Sequence, residues 1–228
     1  MNYESTSQSV QDYLKHIYNL TQNDEPANTN SLAKRMGLKP GSVSEMLARL
    51  AEAQPPLVKY IKYQGATLTE DGKKAALRVI RRHRLIETFL VTNLGYGWDS
   101  IHEEACRLEH VVSDEFEIRI AEAMGHPSYS PHGEPIPTDD LSMPPAYRST
   151  LVGATVGAKA RVLQVPDSDG SLLRYLSEIG LVPGSQLVIH ARSSFDGNLT
   201  LSVSPNPIQI TLGPSITSRI FIQSLELT

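Results

Sequence analysis

Residues 29–50, TNSLAKRMGLKPGSVSEMLARL, decide the fold of the first third of the chain. Thr29 and Asn30 can cap a short helix over Ser31–Met36, and Gly37 can supply its left-handed C-terminal residue. Pro40 then begins a second helix, and its apolar positions share one face, namely Val43, Met46, Leu47 and Leu50. A short helix, a tight turn and a second helix are typical of a helix-turn-helix motif.

The segments on either side complete a winged helix. Apolar residues at helical spacing predict a helix over residues 8–21, and they are Val10, Tyr13, Leu14, Ile17 and Leu20. After the prolines at 55 and 56, the segments 57–63 and 66–69 flank Gln64-Gly65. This pattern predicts a β-hairpin, which would be the wing.

The second helix of the motif is the candidate DNA reader, because its polar residues lie opposite its apolar face. They are Lys39, Ser42, Ser44, Glu45 and Arg49, and the wing adds Lys59, Lys62 and Gln64. These side chains could reach phosphates or base edges. Two alternatives stay open: Glu45 and Arg49 could simply pair on a wet surface, and the wing could be a solvated edge strand.

The rest of the chain predicts two further units. Helical patterns cover residues 71–94, 100–111 and 113–124, and six of the fifteen prolines fall between 127 and 145. Beyond residue 155, short β-rich runs surround one helical patch at 172–179, which predicts a small β-barrel. We therefore expect domains at 1–75, 76–145 (with a proline-rich linker at 127–150) and 151–228.

Composition and charge restrict the function classes. The chain has 228 residues, 40% of them hydrophobic, one cysteine and a formal net charge of −4, which is ordinary globular composition. No apolar run approaches the roughly 18 residues of a membrane span, and no leader pattern is visible, so we expect a soluble cytoplasmic protein. All but one of the eight lysines lie in the first third, whereas residues 76–126 carry an excess of acids.

The acidic middle segment contains a cluster of metal-ligand types. Cys106, Glu109 and His110 stand at i, i+3 and i+4, so they could converge beside one helix face. His102 lies one turn earlier, and His83 with Glu87 repeats a histidine and carboxylate pair at i, i+4. Any one of these residues alone would more simply be part of a solvated face or a satisfied core, but the combination favours a metal site.

Four stretches together resemble the diphtheria toxin repressor family of metal-dependent transcriptional regulators, and specifically its manganese-responsive branch. They are residues 82–87 (RHRLIE), 102–115 (HEEACRLEHVVSDE), 130–137 (SPHGEPIP) and 174–184 (RYLSEIGLVPG). The resemblance implies a mainly α chain with α+β parts: a winged helix-turn-helix domain, a helical dimerisation domain and a C-terminal SH3-like barrel. It also implies a homodimeric repressor that binds double-stranded operator DNA and is not an enzyme.

The resemblance assigns a primary metal site to Asp12, Cys106, Glu109 and His110, and an ancillary site to His83, Glu87 and His102. Asp169 aligns near a barrel ligand of the ancillary site, although the alternative, a turn aspartate, is the better interpretation. Iron-responsive members have a thioether where Asp12 stands, and manganese-responsive members have an aspartate there. By ligand softness we expect Mn(II), with Fe(II) as the alternative and Co(II), Zn(II) or Cd(II) as substitutes in vitro.

The expected function is therefore a Mn(II)-activated repressor that controls metal homeostasis. One metal ion bound by residues of both the first helix and the dimer-forming unit would fix the angle between them. In a dimer, that angle would set the distance between the two DNA-recognition helices. We expect no membrane partner and no small-molecule substrate. The rival hypotheses are a metalloenzyme with Glu109 as base, which lacks a recognisable motif, and a metal-independent winged-helix regulator.

Overall fold

The computed structural model describes residues 7–23, 25–145, 147–167 and 169–225, so the outer ends of the expected first and third domains lie outside the described residues. The chain divides into two compact units. The first contains residues up to His83, together with Glu109–Val112 and Pro137–Ser142, and the second contains the remainder. No helix in the described part of the chain combines the length and apolar character needed to cross a bilayer.

The first unit contains the predicted helix-turn-helix. Its elements are α1 (Gln8–Leu20), α2 (Thr29–Met36), α3 (Pro40–Glu52), β1 (Val58–Ile61), β2 (Gly65–Leu68) and the part of α4 (Glu70–Thr92) up to His83. Gly37 ends α2 with a φ of 65°, as predicted. The cap of α2 is Asn28 rather than Thr29 or Asn30, because the Asn28 side chain accepts a hydrogen bond from the Ser31 backbone nitrogen.

The wing is an antiparallel hairpin in which Val58 pairs with Leu68 and Ile61 with Gly65. Its turn includes Tyr63 at a φ of 69°, so the turn begins earlier than the predicted Gln64-Gly65. Gly65 has no room for a Cβ atom, which would lie 2.7 Å from the Ala27 carbonyl oxygen. The hairpin is therefore held tightly against the segment that precedes α2. The core beneath contains Tyr13, Leu14, Ile17, Leu32, Val43, Leu47, Leu50 and Ala76.

The second unit begins with the remainder of α4, α5 (Ile101–Leu108) and α6 (Asp114–Ala123). The helix predicted over residues 100–111 was too long, because Glu109, His110 and Val111 form a turn after α5. Their segment belongs to the first unit, where Glu109 and His110 bond to α1. These hydrogen bonds to α1 form in place of the last helical turn that the apolar spacing predicted for α5.

A five-stranded antiparallel sheet dominates the second unit. Its strands are β3 (Lys159–Gln164), β4 (Gln186–Arg192), β5 (Leu199–Val203), β6 (Gln209–Leu212) and β7 (Phe221–Leu225), in the order β6-β5-β4-β3-β7. Two helices, α7 (Gly170–Glu178) and α8 (Pro214–Thr217), complete it. Among the described residues β6 and β7 do not pair, so the sheet is shown without the expected barrel closure. Its core includes Val162, Leu173, Leu176, Ile189, Leu201 and Ile222.

The proline-rich segment 127–145 has no helix or strand in its described residues, but it is firmly held. The Val165 backbone nitrogen donates to the His132 carbonyl at 2.9 Å, and the Ile136 nitrogen donates to Ser128. Gly133 has a φ of 84°, and a Cβ atom there would lie 1.9 Å from the Leu163 carbonyl oxygen. This contact with β3 leaves His132 fully buried.

Candidate metal centres and nucleic-acid interface

The first cluster joins α1 to the turn after α5, within the first unit. It consists of Asp12, Glu109 and His110, whose ligand atoms lie within 4.8 Å of one another, and we call it the Glu109 cluster. His110 Nε2 is 3.0 Å from Asp12 Oδ1 and 3.3 Å from Glu109 Oε1. Gln11 Oε1 lies 2.8 Å from His110 Nδ1 and thereby orients the imidazole ring.

Glu109 is an ionised carboxylate despite being 1% exposed. Burial by itself would raise the pKa of Glu109, but the hydrogen bond from His83 and the charge of Lys15 hold that pKa below its usual value. His83 Nδ1 is 2.5 Å from Glu109 Oε2, and Lys15 Nζ donates to both carboxylate oxygens at 2.7 and 3.0 Å. The charged carboxylate is the form that binds metals.

Cys106 belongs to the second unit, as part of α5. Because α5 ends at Leu108, Cys106, Glu109 and His110 do not share one helix face, and that part of the sequence argument was wrong. Cys106 Sγ lies 3.7 Å from His102 Nε2. Its expected role in the primary site stays a prediction, and so does the ancillary role of His83.

The second cluster lies within the second unit and joins α4 and α5 to the segments before and after the sheet's first strand. It consists of Glu87, His102, His132 and Asp167, and we call it the Glu87 cluster. His102 Nδ1 is 3.3 Å from Glu87 Oε1 and 3.7 Å from Asp167 Oδ2. His132 Nδ1 is 3.9 Å from Glu87 Oε2.

His132 presents a lone pair to this cluster. Its Nε2 lies 2.8 Å from the Trp98 carbonyl oxygen, which only accepts hydrogen bonds, so Nε2 carries the proton. Nδ1 of the neutral ring is then a bare acceptor, and it has no hydrogen-bond partner among the described residues. An imidazole fixed in this way by a carbonyl is the usual arrangement of a histidine metal ligand.

The Glu87 cluster also has an excess of carboxylates. Glu134 lies beside Glu87 and Asp167, and Arg84 donates to Glu134 at 3.0 Å. Burial raises the pKa of Glu134 to about 7, against the opposing charge of Arg84. In this site one buried arginine faces three carboxyl groups, so a bound divalent cation would stabilise it by balancing their negative charge.

Asp169 caps α7 and is not part of this cluster, in agreement with the turn-aspartate interpretation rather than with a place in the ancillary site. Its carboxylate caps α7 by accepting hydrogen bonds from the backbone nitrogens of Ser171 and Leu172, both at 3.1 Å. The hydrogen bond from the Ser171 hydroxyl lowers the pKa of Asp169 most, and the two backbone hydrogen bonds lower it further. Asp167, two residues earlier, contacts His102 instead.

Two residues of the Glu87 cluster and one residue beside the Glu109 cluster were missed by sequence reasoning. His132 and Asp167 lie in segments without helical or strand periodicity, so no spacing rule could associate them with Glu87. Lys15 did carry a signal, since it stands three residues after Asp12 on the same helix. That spacing could not predict that Lys15 is buried, with only 8% of the residue exposed.

Both clusters fit divalent cations by their donor chemistry. Carboxylate oxygen and imidazole nitrogen together suit Mn(II), Fe(II), Co(II) and Zn(II). The Glu109 cluster offers two carboxylates and an imidazole, and the Glu87 cluster offers two of each.

The candidate DNA face lies on the first unit. Lys39, Ser42, Glu45, Arg49, Lys59, Lys62 and Gln64 are exposed, and Ser44 is half-buried. Glu45 and Arg49 are both exposed on α3, and the alternative that they pair on the surface stays open. A groove of about 460 Å³ runs between the starts of α2 and α3 and the wing, lined by Asn28, Thr29, Asn30, Pro40, Ser44, Tyr60, Lys62, Tyr63 and Gly65.

Three family models cover almost the whole chain. Residues 5–66 match the iron dependent repressor, N-terminal DNA binding domain. Residues 69–138 match the iron dependent repressor, metal binding and dimerisation domain. Residues 149–224 match the FeoA domain.

Relatives and solved structures agree with these models. The iron-dependent repressor IdeR of Mycobacterium tuberculosis is 29% identical over 225 residues, which cover 93% of this chain and 96% of the relative. A manganese-dependent transcriptional repressor in complex with manganese is 38% identical with a TM-score of 0.85, covering 95% of this chain and all of that one. ScaR with bound Zn²⁺ is 33% identical with a TM-score of 0.80, covering 94% and 98%.

Proposed function

The chain belongs to the diphtheria toxin repressor family of metal-dependent transcriptional regulators, and from that premise we propose that Mn(II) bound at the Glu109 cluster switches on operator binding. The family consists of repressors rather than enzymes, so the metalloenzyme hypothesis is abandoned. The observation that carries the proposal is the Asp12–His110 contact at 3.0 Å, which joins a helix of the DNA-binding domain to the turn after α5.

The donor set of the Glu109 cluster supports Mn(II). Asp12 and Glu109 supply hard oxygen donors, which favour Mn(II) over softer ions. The manganese-dependent relative points the same way. Fe(II) is the second candidate, since other relatives are iron-dependent repressors and Cys106 offers a sulfur donor in the region that the family model describes as metal binding. Zn(II), Co(II) and Cd(II) are proposed as substitutes in vitro.

The residues around the cluster define how the switch would act. A divalent cation held there would be bound jointly by the carboxylates of Asp12 and Glu109 and by the imidazole of His110. Asp12 would then fix α1 against the 109–112 turn, while Gln11 orients His110. In a homodimer this would set the separation of the two α3 helices, which must match half-sites about 34–36 Å apart or a related spacing.

We assign the Glu87 cluster to the ancillary site, with His132 and Asp167 added to the predicted Glu87 and His102 and with Asp169 removed. His83 is retained as a predicted member of that site and Cys106 as a predicted member of the primary site. We also propose the domain boundaries 1–75, 76–145 and 151–228, and closure of the C-terminal sheet into an SH3-like barrel. Operator DNA and a second copy of this chain are the proposed partners.

The test is operator affinity with and without metal, using a DNA duplex selected from a random pool by the Mn(II)-loaded protein. A shift from 1% to 99% competent molecules would tighten the apparent affinity about 100-fold. We expect that gain when chelator is replaced by Mn(II), its loss in Glu109→Gln, and its retention in Glu103→Gln, a matched control at an exposed position of α5. Equal affinity in chelator and Mn(II), or a full response in Glu109→Gln, would overturn the proposal.

A further inference from the structure

Lys15 is a buried lysine in direct contact with Glu109 of the Glu109 cluster. It is 8% exposed, and lysines are almost never this buried unless they are paired. Its ammonium donates to both oxygens of Glu109, at 2.7 and 3.0 Å, and lies 3.0 Å from His83 Nδ1. Lys15 therefore forms a direct ion pair with the buried Glu109 carboxylate.

The same carboxylate has two competing uses. Glu109 is a candidate ligand together with Asp12 and His110, yet both of its oxygens already accept hydrogen bonds from Lys15. A divalent cation within bonding distance of Glu109 would come close to the ammonium, and like charges in a poorly solvated site repel strongly. Filling the site thus requires the ammonium to give up its contact with Glu109.

Resting on the proposed function, we propose that Lys15 is the resident counter-cation of Glu109, which an incoming divalent metal must displace. Its strength as a competitor then sets the metal concentration at which the cluster fills. Without metal, Lys15 keeps a buried carboxylate neutralised and the cluster folded. Without Lys15 as a partner, Glu109 would bind metal more tightly, and the cluster would fill at a lower metal concentration.

A second role for Lys15, orienting Glu109 for the metal, makes the opposite prediction. If Lys15 were a positioning residue, its removal would weaken metal binding, because Glu109 would lose its fixed orientation. Removal of a competitor tightens binding instead. The sign of the change in affinity therefore separates the two roles.

The test measures free Mn(II) by its electron paramagnetic resonance signal during titration of the full chain. Lys15→Met should lower the Mn(II) dissociation constant at least ten-fold, and Lys15→Arg should stay within two-fold of the wild type because it keeps the charge. Lys34→Met, an exposed lysine of α2, controls for net charge and should also stay within two-fold. Unchanged or weaker binding in Lys15→Met overturns the inference.

Two further measurements keep the outcome decisive. If Lys15→Met does not fold, Lys15→Gln keeps a donor for Glu109 without the charge, and it should show the same tightening. In a Mn(II)-bound crystal structure, Lys15 Nζ should lie beyond hydrogen-bond distance of Glu109, and an intact contact would contradict the inference. A wild-type protein that binds no Mn(II) would refute the proposed function itself, whereas normal wild-type binding with unaltered Lys15 variants refutes only the role of Lys15.

Discussion

At the scale of single residues, Asp12 is the position that should decide metal preference. Replacing its carboxylate by a thioether in Asp12→Met substitutes a soft donor for a hard one. We expect Mn(II) affinity to fall by 10- to 100-fold while Fe(II) affinity falls less, so the preference moves toward iron. Anaerobic titrations with both metals measure this change.

Asp12→Asn is the matched control for that substitution, because it keeps an oxygen donor and the side-chain shape. It should weaken the binding of both metals without reversing their order. Identical Mn(II) and Fe(II) profiles in wild type and Asp12→Met would refute the softness argument.

His16 should make stability depend on pH. Burial lowers the pKa of His16 to about 4, and the charges of Arg35 and Lys15 add to the effect. The unfolded chain binds this proton near pH 6.5, whereas the folded chain does not bind it until about pH 4. The free energy of unfolding should therefore be fully retained above pH 6.5 and decline as the pH falls through that window.

The decline attributable to His16 should be on the order of 1–2 kcal/mol, reduced from the full shift because the ring is not completely shielded from solvent. Urea denaturation between pH 7 and pH 4.5 measures it. His16→Gln should have a shallower pH dependence over that range, and equal slopes in the two proteins would rule out this role.

At the scale of elements, the contact between the proline-rich segment and β3 should be sensitive to one methyl group. Gly133→Ala would place a Cβ atom 1.9 Å from the Leu163 carbonyl oxygen, at a φ that disfavours side chains. We expect a loss of at least about 2 kcal/mol in the free energy of unfolding, measured by urea denaturation.

Because Gly133 follows His132, the same variant should also lose one bound metal ion per chain. Gly153→Ala is the control, since nothing lies within 4 Å of the Cβ position there. Normal stability and metal stoichiometry in Gly133→Ala would show that the segment does not hold His132 in place.

The wing should contribute contacts to the DNA backbone rather than to bases. Lys62 is exposed at its turn, beside the groove that reaches the start of α3. Lys62→Ala should weaken binding to specific and nonspecific duplexes by similar factors and reduce the slope of log affinity against log salt by about 1. Fluorescence anisotropy at several salt concentrations measures this, with Lys74→Ala of α4 as control. A loss confined to one sequence would instead indicate base reading.

At the scale of the whole molecule, local sequence patterns predicted the helices and strands but missed contacts between residues far apart in sequence. Apolar spacing and Gly37 were sufficient for the helix-turn-helix, because those signals act within a few residues. The end of α5 was placed three residues late, because Glu109 and His110 bond to residues of α1 nearly a hundred positions earlier.

The candidate sites follow the same division. Asp12, Glu109 and His110 were predicted as one group through the family resemblance, and the structure brings them together. Lys15, His132 and Asp167 were not predicted, because they are selected by burial and by contacts across 34 to 94 positions of sequence. Charge balance inside a folded site is not visible in a linear pattern.

The location of bound Mn(II) is the decisive measurement for a switch that depends on Asp12 and Glu109. Crystals grown with Mn(II) and measured at the manganese absorption edge give its position from anomalous scattering alone. We expect a peak within about 2.5 Å of carboxylate oxygens of both Asp12 and Glu109. A fully occupied peak elsewhere, with Asp12 and Glu109 not coordinated, would contradict this expectation.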